Sequence, residues 1–262
     1  MKFKRVEKTY LRIRDTLQFR VPFLYKSLRY VKRRMLLVGT TFRPYIWRVL
    51  GLQRGVLVYV GLNRGDSFSS LFYKYKRAIG IEANPELMPE LHQRFGKYKS
   101  VELYNVAASS VDGQAQLTLP DNGNHAASAT LDSFGNSRSI NGVRKIHVDA
   151  VHLGNFLQRI RVVRVDSYIS DCEGYDYIAL KSCQDFLDQG NFLEIQCEVQ
   201  RNHTPEVYIS VSNKEHMFDT LLSGNYEKIA SGWTFLRNGI FDEVPSDWVF
   251  HDVKWKLTKL GK

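Results

Sequence analysis

With 262 residues, 44% of them hydrophobic and 24% charged, the chain is long enough to bury a full core and has the composition of a soluble globular protein. Its net charge of +10 sits almost wholly at one end: residues 1–54 carry 15 Lys and Arg against Glu7 and Asp15, a net of +13, and the remainder is close to neutral at −3. No apolar run approaches the roughly 18 residues of a membrane span or follows the basic N-terminus as a secretion signal would, and three cysteines without metal spacing argue against a disulfide framework or a zinc site, which places the chain in the cytoplasm.

In chain order, residues 1–54 read as a basic helical extension. Leu24, Leu28, Val31 and Met35 recur at helical spacing and form one apolar stripe, while Lys26, Arg29, Lys32, Arg33 and Arg34 take the other faces. Such a helix either adheres to an anionic surface or packs on the body with its basic face in water; charge runs are ordinarily solvated, which favours packing. A single α/β domain is expected over 55–262. It opens with Val56 to Val60, apolar and mostly β-branched, a strand buried on both faces. Gly61 and Gly65 then bracket a tight turn, Phe68, Leu71, Phe72 and Tyr75 follow at helical spacing, and Ala78 to Ile81 forms a second strand ending at Glu82.

Strand, glycine turn, helix, strand and acid make the first half of a nucleotide-binding sheet. The glycines admit a ligand close to the backbone, and a carboxylate at the tip of the second strand can accept hydrogen bonds from both hydroxyls of a ribose. The spacing is G-x-x-x-G, without the third glycine that seats a pyrophosphate on a helix N-terminus. It suits a ligand with ribose and adenine but no phosphate, namely S-adenosylmethionine; the alternative is an ordinary glycine turn.

Pro85 opens a helix lined by Leu87, Met88, Leu91 and Phe95, Val101 to Ala107 is a third strand, and Gln114 to Leu119 alternates as a half-exposed one. Residues 120–144, rich in Asn, Ser, Gly and Ala, are either a lid over the ligand or an insertion. Strands are expected at Lys145 to Val151 and Arg161 to Ile169, around a helical piece from Gly154 to Gln158. Asp171-Cys172-Glu173-Gly174 comes next, then a helix from Tyr175 to about Leu187 and a strand from Phe192 to Val199. The C-terminal part offers a helix from Glu215 and strands at Tyr226–Ala230, Trp233–Leu236 and Trp248–Phe250. This alternation predicts a largely parallel sheet with helices on both faces.

Four segments together resemble the FkbM-type S-adenosylmethionine-dependent methyltransferases: Val60-Gly61-Leu62-Asn63-Arg64-Gly65, Ile81-Glu82-Ala83-Asn84-Pro85, Asn105-Val106-Ala107-Ala108 and Asp171-Cys172-Glu173-Gly174-Tyr175. The resemblance runs from about Val56 to Gln200. It implies a class I methyltransferase Rossmann-like sheet of about seven strands and O-methylation of a sugar, glycan or other small hydroxylated compound. It also implies cofactor contacts from Gly61, Asn63, Gly65, Glu82, Asn84 and Ala107. By residue chemistry alone, Asn63 either shapes the turn or meets the cofactor's amino-acid portion, and Asn84 either reaches adenine or caps the helix at Pro85. Three positions depart from the family's patterns: Tyr59 stands where the turn carries an Asp, Ile169 where the later segment carries a Lys, and Gly154 where a Leu-Asp pair would place its Asp.

Methyl transfer demands that the acceptor oxygen lie in line with the methyl group, and a general base adds a factor of about 10² to 10⁴. Asp171 and Glu173, following an apolar strand at the sheet's carboxyl edge, are the first candidates, and His125 in the polar loop is another. The two carboxylates could also hold a divalent metal, which nothing else in the sequence supports, or serve as a helix cap and a binder of backbone amides. His152 and His203 read as structural residues, and Glu198, ending the next strand, either faces substrate or belongs to a buried ion pair. A nucleic-acid methyltransferase gripping phosphates through residues 1–54, and a non-catalytic binding protein on the same fold, are the alternative functions.

Overall fold

Alternating apolar side chains of the first strand, β1 (Arg54–Val60), are buried on both sides of a sheet. The computed structural model describes residues 47–120, 130–131, 143–207, 212–234, 241–245 and 248–258. The chain divides between Leu52 and Gln53 into two units, of which the first is described only from residue 47. The apolar stripe from Leu24 to Met35 with its flanking basic residues, His125 and most of 120–144 therefore lie outside the described residues. All secondary structure from β1 onward belongs to the second unit.

After β1 the chain makes a short helix α1 (Asp66–Ser69), a 3-10 turn and β2 (Tyr75–Ile81), then a second 3-10 turn leading into α2 (Met88–Phe95). Next come β3 (Val101–Tyr104), β4 (Ala107–Ser109), β5 (Gly113–Pro120), β6 (Val143–His152), α3 (Leu153–Arg159) and β7 (Ser167–Ser170). Helices α4 (Asp176–Lys181) and α5 (Gln184–Asp188) lead to β8 (Glu194–Gln200), and α6 (Glu215–Leu222) precedes β9 (Tyr226–Thr234), β10 (Phe241–Asp242) and β11 (Phe250–Leu257). The main sheet runs β10-β9-β11-β8-β7-β1-β2-β3. Its β8, β7, β1, β2 and β3 are parallel, and β11, β9 and β10 antiparallel. Beside the expected sheet stands a separate one of three strands, β4-β6-β5.

Helical segments cover both faces of the main sheet. On one, Val58, Val60, Ile79, Ile81, Tyr168, Ile195 and Trp255 pack with Phe156, Leu157, Leu180 and Phe186 of α3 to α5. On the other, Tyr59 meets Phe68 edge-on at 6.0 Å and Phe68 meets Phe95 at 5.1 Å, so the aromatic residues of α1 and α2 close that side.

Several elements differ from their sequence patterns. The helix begun at Asp66 stops at Ser69, and Tyr75 belongs to β2, where its hydroxyl donates to Ser167 Oγ at 2.9 Å. Val101 to Ala107 splits between the two sheets: Asn105 turns its side-chain amide onto the carbonyls of Glu82 and Ala83, and the chain leaves the main sheet there. Only the end of Arg161 to Ile169 is strand; Arg161, at φ 58°, and the Val162 amide, which donates to Leu157 O at 2.9 Å, still close the end of α3. The helix after Tyr175 is broken at Ser182 and Cys183, and Tyr226–Thr234 is one strand. Trp248 precedes β11, whose eight residues alternate charged and apolar too irregularly to stand out.

Candidate functional site

The parallel strands end together, and the loops leaving β1, β2 and β7 meet around one open cavity, at the edge of the sheet where ligands of such folds bind. At the end of β1, Gly61 has φ 79° and its amide donates to Ile81 O at 2.9 Å. A Cβ at this position would overlap the carbonyl oxygen of Asp171, so only glycine lets the loop after β7 lie directly on the turn. Asn63 follows with φ 52°, the left-handed conformation that Asn tolerates. Gly65, with φ 75°, closes the turn through its amide to Leu62 O at 2.8 Å, and a Cβ there would overlap the Phe95 ring.

Glu82 leaves the tip of β2 and is 6% exposed. Its Oε2 accepts from the Asn63 amide at 2.7 Å and its Oε1 from the Asn84 amide at 2.8 Å, which aims the carboxylate at the turn. Burial pushes its pKa up to about 7; the amides oppose that shift, and the nearby Asp171 carboxylate reinforces it.

The opposite wall is the loop after β7. Asp171, Cys172, Glu173 and Tyr175 line the cavity here. Glu173 (φ 49°) and Gly174 (φ 96°) are both left-handed, and the loop is tied at both ends: the Asp171 amide donates to Val60 O at 3.0 Å, and Thr130 Oγ1 donates to Glu173 O at 2.8 Å. Thr130 in turn exchanges both backbone hydrogen bonds with Thr118 of β5. The three-stranded sheet is thereby joined to the loop, and Ala107, Leu117 and Leu131 give the cavity an apolar side. Among the described residues, those lining the cavity include three carboxylates, Glu82, Asp171 and Glu173, and no Lys, Arg or His.

Of the residues singled out from sequence, Gly61, Asn63, Glu82, Ala107, Asp171 and Glu173 come together around this cavity. Gly65 and Asn84 do not line it: Gly65 packs on α2, and Asn84 caps the following turn, its Oδ1 accepting from the Glu86 amide at 3.0 Å. His152 caps α3 through Nδ1 and the Asn155 amide at 3.3 Å, and His203 is exposed. Glu198 faces Asp252 of β11 across the sheet. Among the described residues no group of three His, Cys, Asp or Glu is arranged to hold a metal. Two buried residues escaped the sequence reading, Asp176 and Asn213, which sit beneath the 171–175 loop. An Asp two residues after the Gly174 turn, opening a helix, was the visible signal.

The three departures from the family's patterns lie away from the cavity. Tyr59 and Ile169 are register partners on adjacent strands, both buried on the face that holds Phe68. An apolar pair thus stands where the family's patterns would bring an Asp and a Lys together. At Gly154 a Cβ would overlap Ser182 O, because α3 begins against the end of α4.

A model of the FkbM methyltransferase domain matches residues 60–228, more than half of the chain. No protein of curated function matches the sequence. Similar solved structures include fibrillarin of Aeropyrum pernix in complex with natively bound S-adenosyl-L-methionine (15% identity, 78% of this chain and 67% of that chain, TM-score 0.42). An S-adenosylmethionine-dependent methyltransferase from Clostridium acetobutylicum (9%, 89% and 99%, TM-score 0.42) and M. capricolum TrmK in complex with S-adenosyl-homocysteine (9%, 84% and 69%, TM-score 0.42) are also similar. Since the family's domain spans the turn, the acidic strand tip and the loop after β7 alike, the chain belongs to the FkbM methyltransferase family and is an S-adenosylmethionine-dependent methyltransferase.

Proposed function

We propose that the protein methylates a hydroxyl group of a sugar, glycan or other small polyhydroxylated molecule. The observation that carries this reading is the charge of the cavity: among the described residues, three carboxylates and no basic side chain line it. Carboxylates accept hydrogen bonds from hydroxyl donors and repel phosphates and carboxylates. Such a cavity favours a cationic cofactor and a neutral, hydroxyl-rich acceptor over a nucleic acid.

Glu82, held by two backbone amides, is suited to receive the ribose diol, and the apolar side at Ala107 and Leu117 to receive adenine. S-adenosylmethionine, when bound, supplies an electrophilic methyl group. Asp171 and Glu173 then have two tasks that belong to this chain: they orient the acceptor hydroxyl and take its proton as the oxygen loses it. Asp171 is our first choice of base, because it directly follows β7 at the carboxyl edge of the parallel strands and lines the cavity. His125 is a second candidate. We take residues 55–262 as the catalytic domain and residues 1–54 as a basic N-terminal extension. We place the protein in the cytoplasm on its cysteine usage.

The test is calorimetric titration with S-adenosylhomocysteine, followed by transfer of labelled methyl groups to a panel of sugars and oligosaccharides and, in parallel, to RNA. The expected result is cofactor binding that is lost in Glu82→Ala and label in the carbohydrate arm. Label confined to RNA, or binding undiminished in Glu82→Ala, would overturn the reading.

A further inference from the structure

We infer that Asp176 and Asn213 are positioning residues, which fix the loop of Asp171 and Glu173 to the end of β8 and to the segment entering α6. What the loop does rests on the function proposed above; how it is held does not.

Both residues are 0% exposed. The Asp176 carboxylate accepts from the Cys172 amide at 3.2 and 3.3 Å, so it reaches back across the turn that presents Glu173. Asn213 Nδ2 lies 3.5 Å from Asp176 Oδ2 and donates to Glu198 O at 2.9 Å, while its Oδ1 accepts from the Tyr177 amide at 3.0 Å. Its own carbonyl accepts from the Gln200 amide at 2.9 Å. One amide side chain therefore joins β8, the start of α4 and Asp176.

An acidic residue in the first turn of a helix needs no burial to favour the helix dipole, and Asp66 and Asp185, which hold that place in α1 and α5, are exposed. Burial of a carboxylate is costly unless it satisfies donors that water would otherwise serve. At Asp176 the donor is the amide of Cys172, the residue between the two candidate bases. The left-handed pair Glu173 and Gly174 also needs surroundings that hold it. With Thr130 bonded to Glu173 O and Asp176 to the Cys172 amide, the loop is held at two successive residues.

The test uses the full chain with Asp176→Ala, Asp176→Asn and Asn213→Ala, measuring thermal stability, amide exchange over 171–177, and S-adenosylhomocysteine affinity against pH. In Asp176→Ala the Cys172 amide is expected to exchange about a hundredfold faster. The pH midpoint of binding should fall, because Asp171 moves away from Glu82. Asp176→Asn keeps an oxygen toward Cys172 and should restore both readouts. Should Asp176→Ala fail to fold, Asn213→Ala decides, with an expected increase in exchange of about tenfold. Lowered thermal stability with wild-type exchange and midpoint, or no rescue by Asn, overturns the inference. A wild-type protein that binds no S-adenosylhomocysteine would overturn the proposed function instead, and the exchange result would then decide the inference alone.

Discussion

The two walls of the cavity are built in opposite ways. The wall from β1 to Glu82 is made locally: the carboxylate reaches amides 19 and two residues away in the chain, and glycines supply the turn. The wall of Asp171 to Tyr175 is made by distant segments. Thr130 holds it from 43 residues away, Asn213 lies 37 residues from Asp176, and Val60 anchors its first amide. Both walls carry a short motif, but only the first contains the groups that fix it; the remote side chains that hold the second do not show, because their sequence separation carries no periodic signal.

The contrast is most severely tested beneath the turn, at the departures Tyr59 and Ile169. If the apolar pair is a structural replacement, Tyr59→Asp buries an unpaired carboxylate and should destabilise by about 3 to 5 kcal/mol in chemical denaturation. Adding Ile169→Lys should recover part of that loss, and additivity of the two changes would show that they are not coupled. Next in size, Gly61→Ala forces a Cβ into the Asp171 carbonyl at φ 79°, and we expect a loss of about 2 to 4 kcal/mol. Because Gly61 is where the two walls touch, cofactor affinity should fall with it.

A milder perturbation is pH. Glu82 has its pKa raised to about 7 in the folded, ligand-free protein, from an ordinary value of 4.5. The folded state therefore holds this proton more tightly than the unfolded one: the contribution to stability is complete below about pH 4.5 and is lost as pH rises through 7. Cofactor binding runs the other way, since the ribose diol needs the ionised carboxylate. Affinity for S-adenosylhomocysteine should weaken below about pH 7, by up to tenfold per unit, and Glu82→Gln should flatten the profile. A wild-type profile as flat as that of the Gln variant would remove Glu82 from the binding role. The smallest effect is expected at Thr130→Val, which loses one hydrogen bond to Glu173 O and should cost about 1 kcal/mol. Faster amide exchange there should stay confined to the loop and β5.

The sheet was legible where its signal is local. Val56 to Val60, Ala78 to Ile81 and Phe192 to Val199 are apolar enough to require burial on two faces, and β1, β2 and β8 lie there. The split of Val101 to Ala107 was not legible, because it depends on where the Asn105 amide finds carbonyls. Asn84 was ambiguous between ligand and cap for a similar reason: a single amide satisfies either, and only the position of the Glu86 amide decides.

What the sequence determined by itself was the class of ligand site, because glycines spaced by three residues and a terminal acid constrain backbone and charge within a few bonds of each other. Only the tertiary structure decided that three carboxylates would share one cavity, with no basic side chain beside them among the described residues, and that Asp176 and Asn213 would lie beneath it. The three carboxylates alone join residues 91 apart, from Glu82 to Glu173, and they meet only once the strands have set their register. Charge and hydrogen-bond complementarity depend on distance in space, which chain order does not encode.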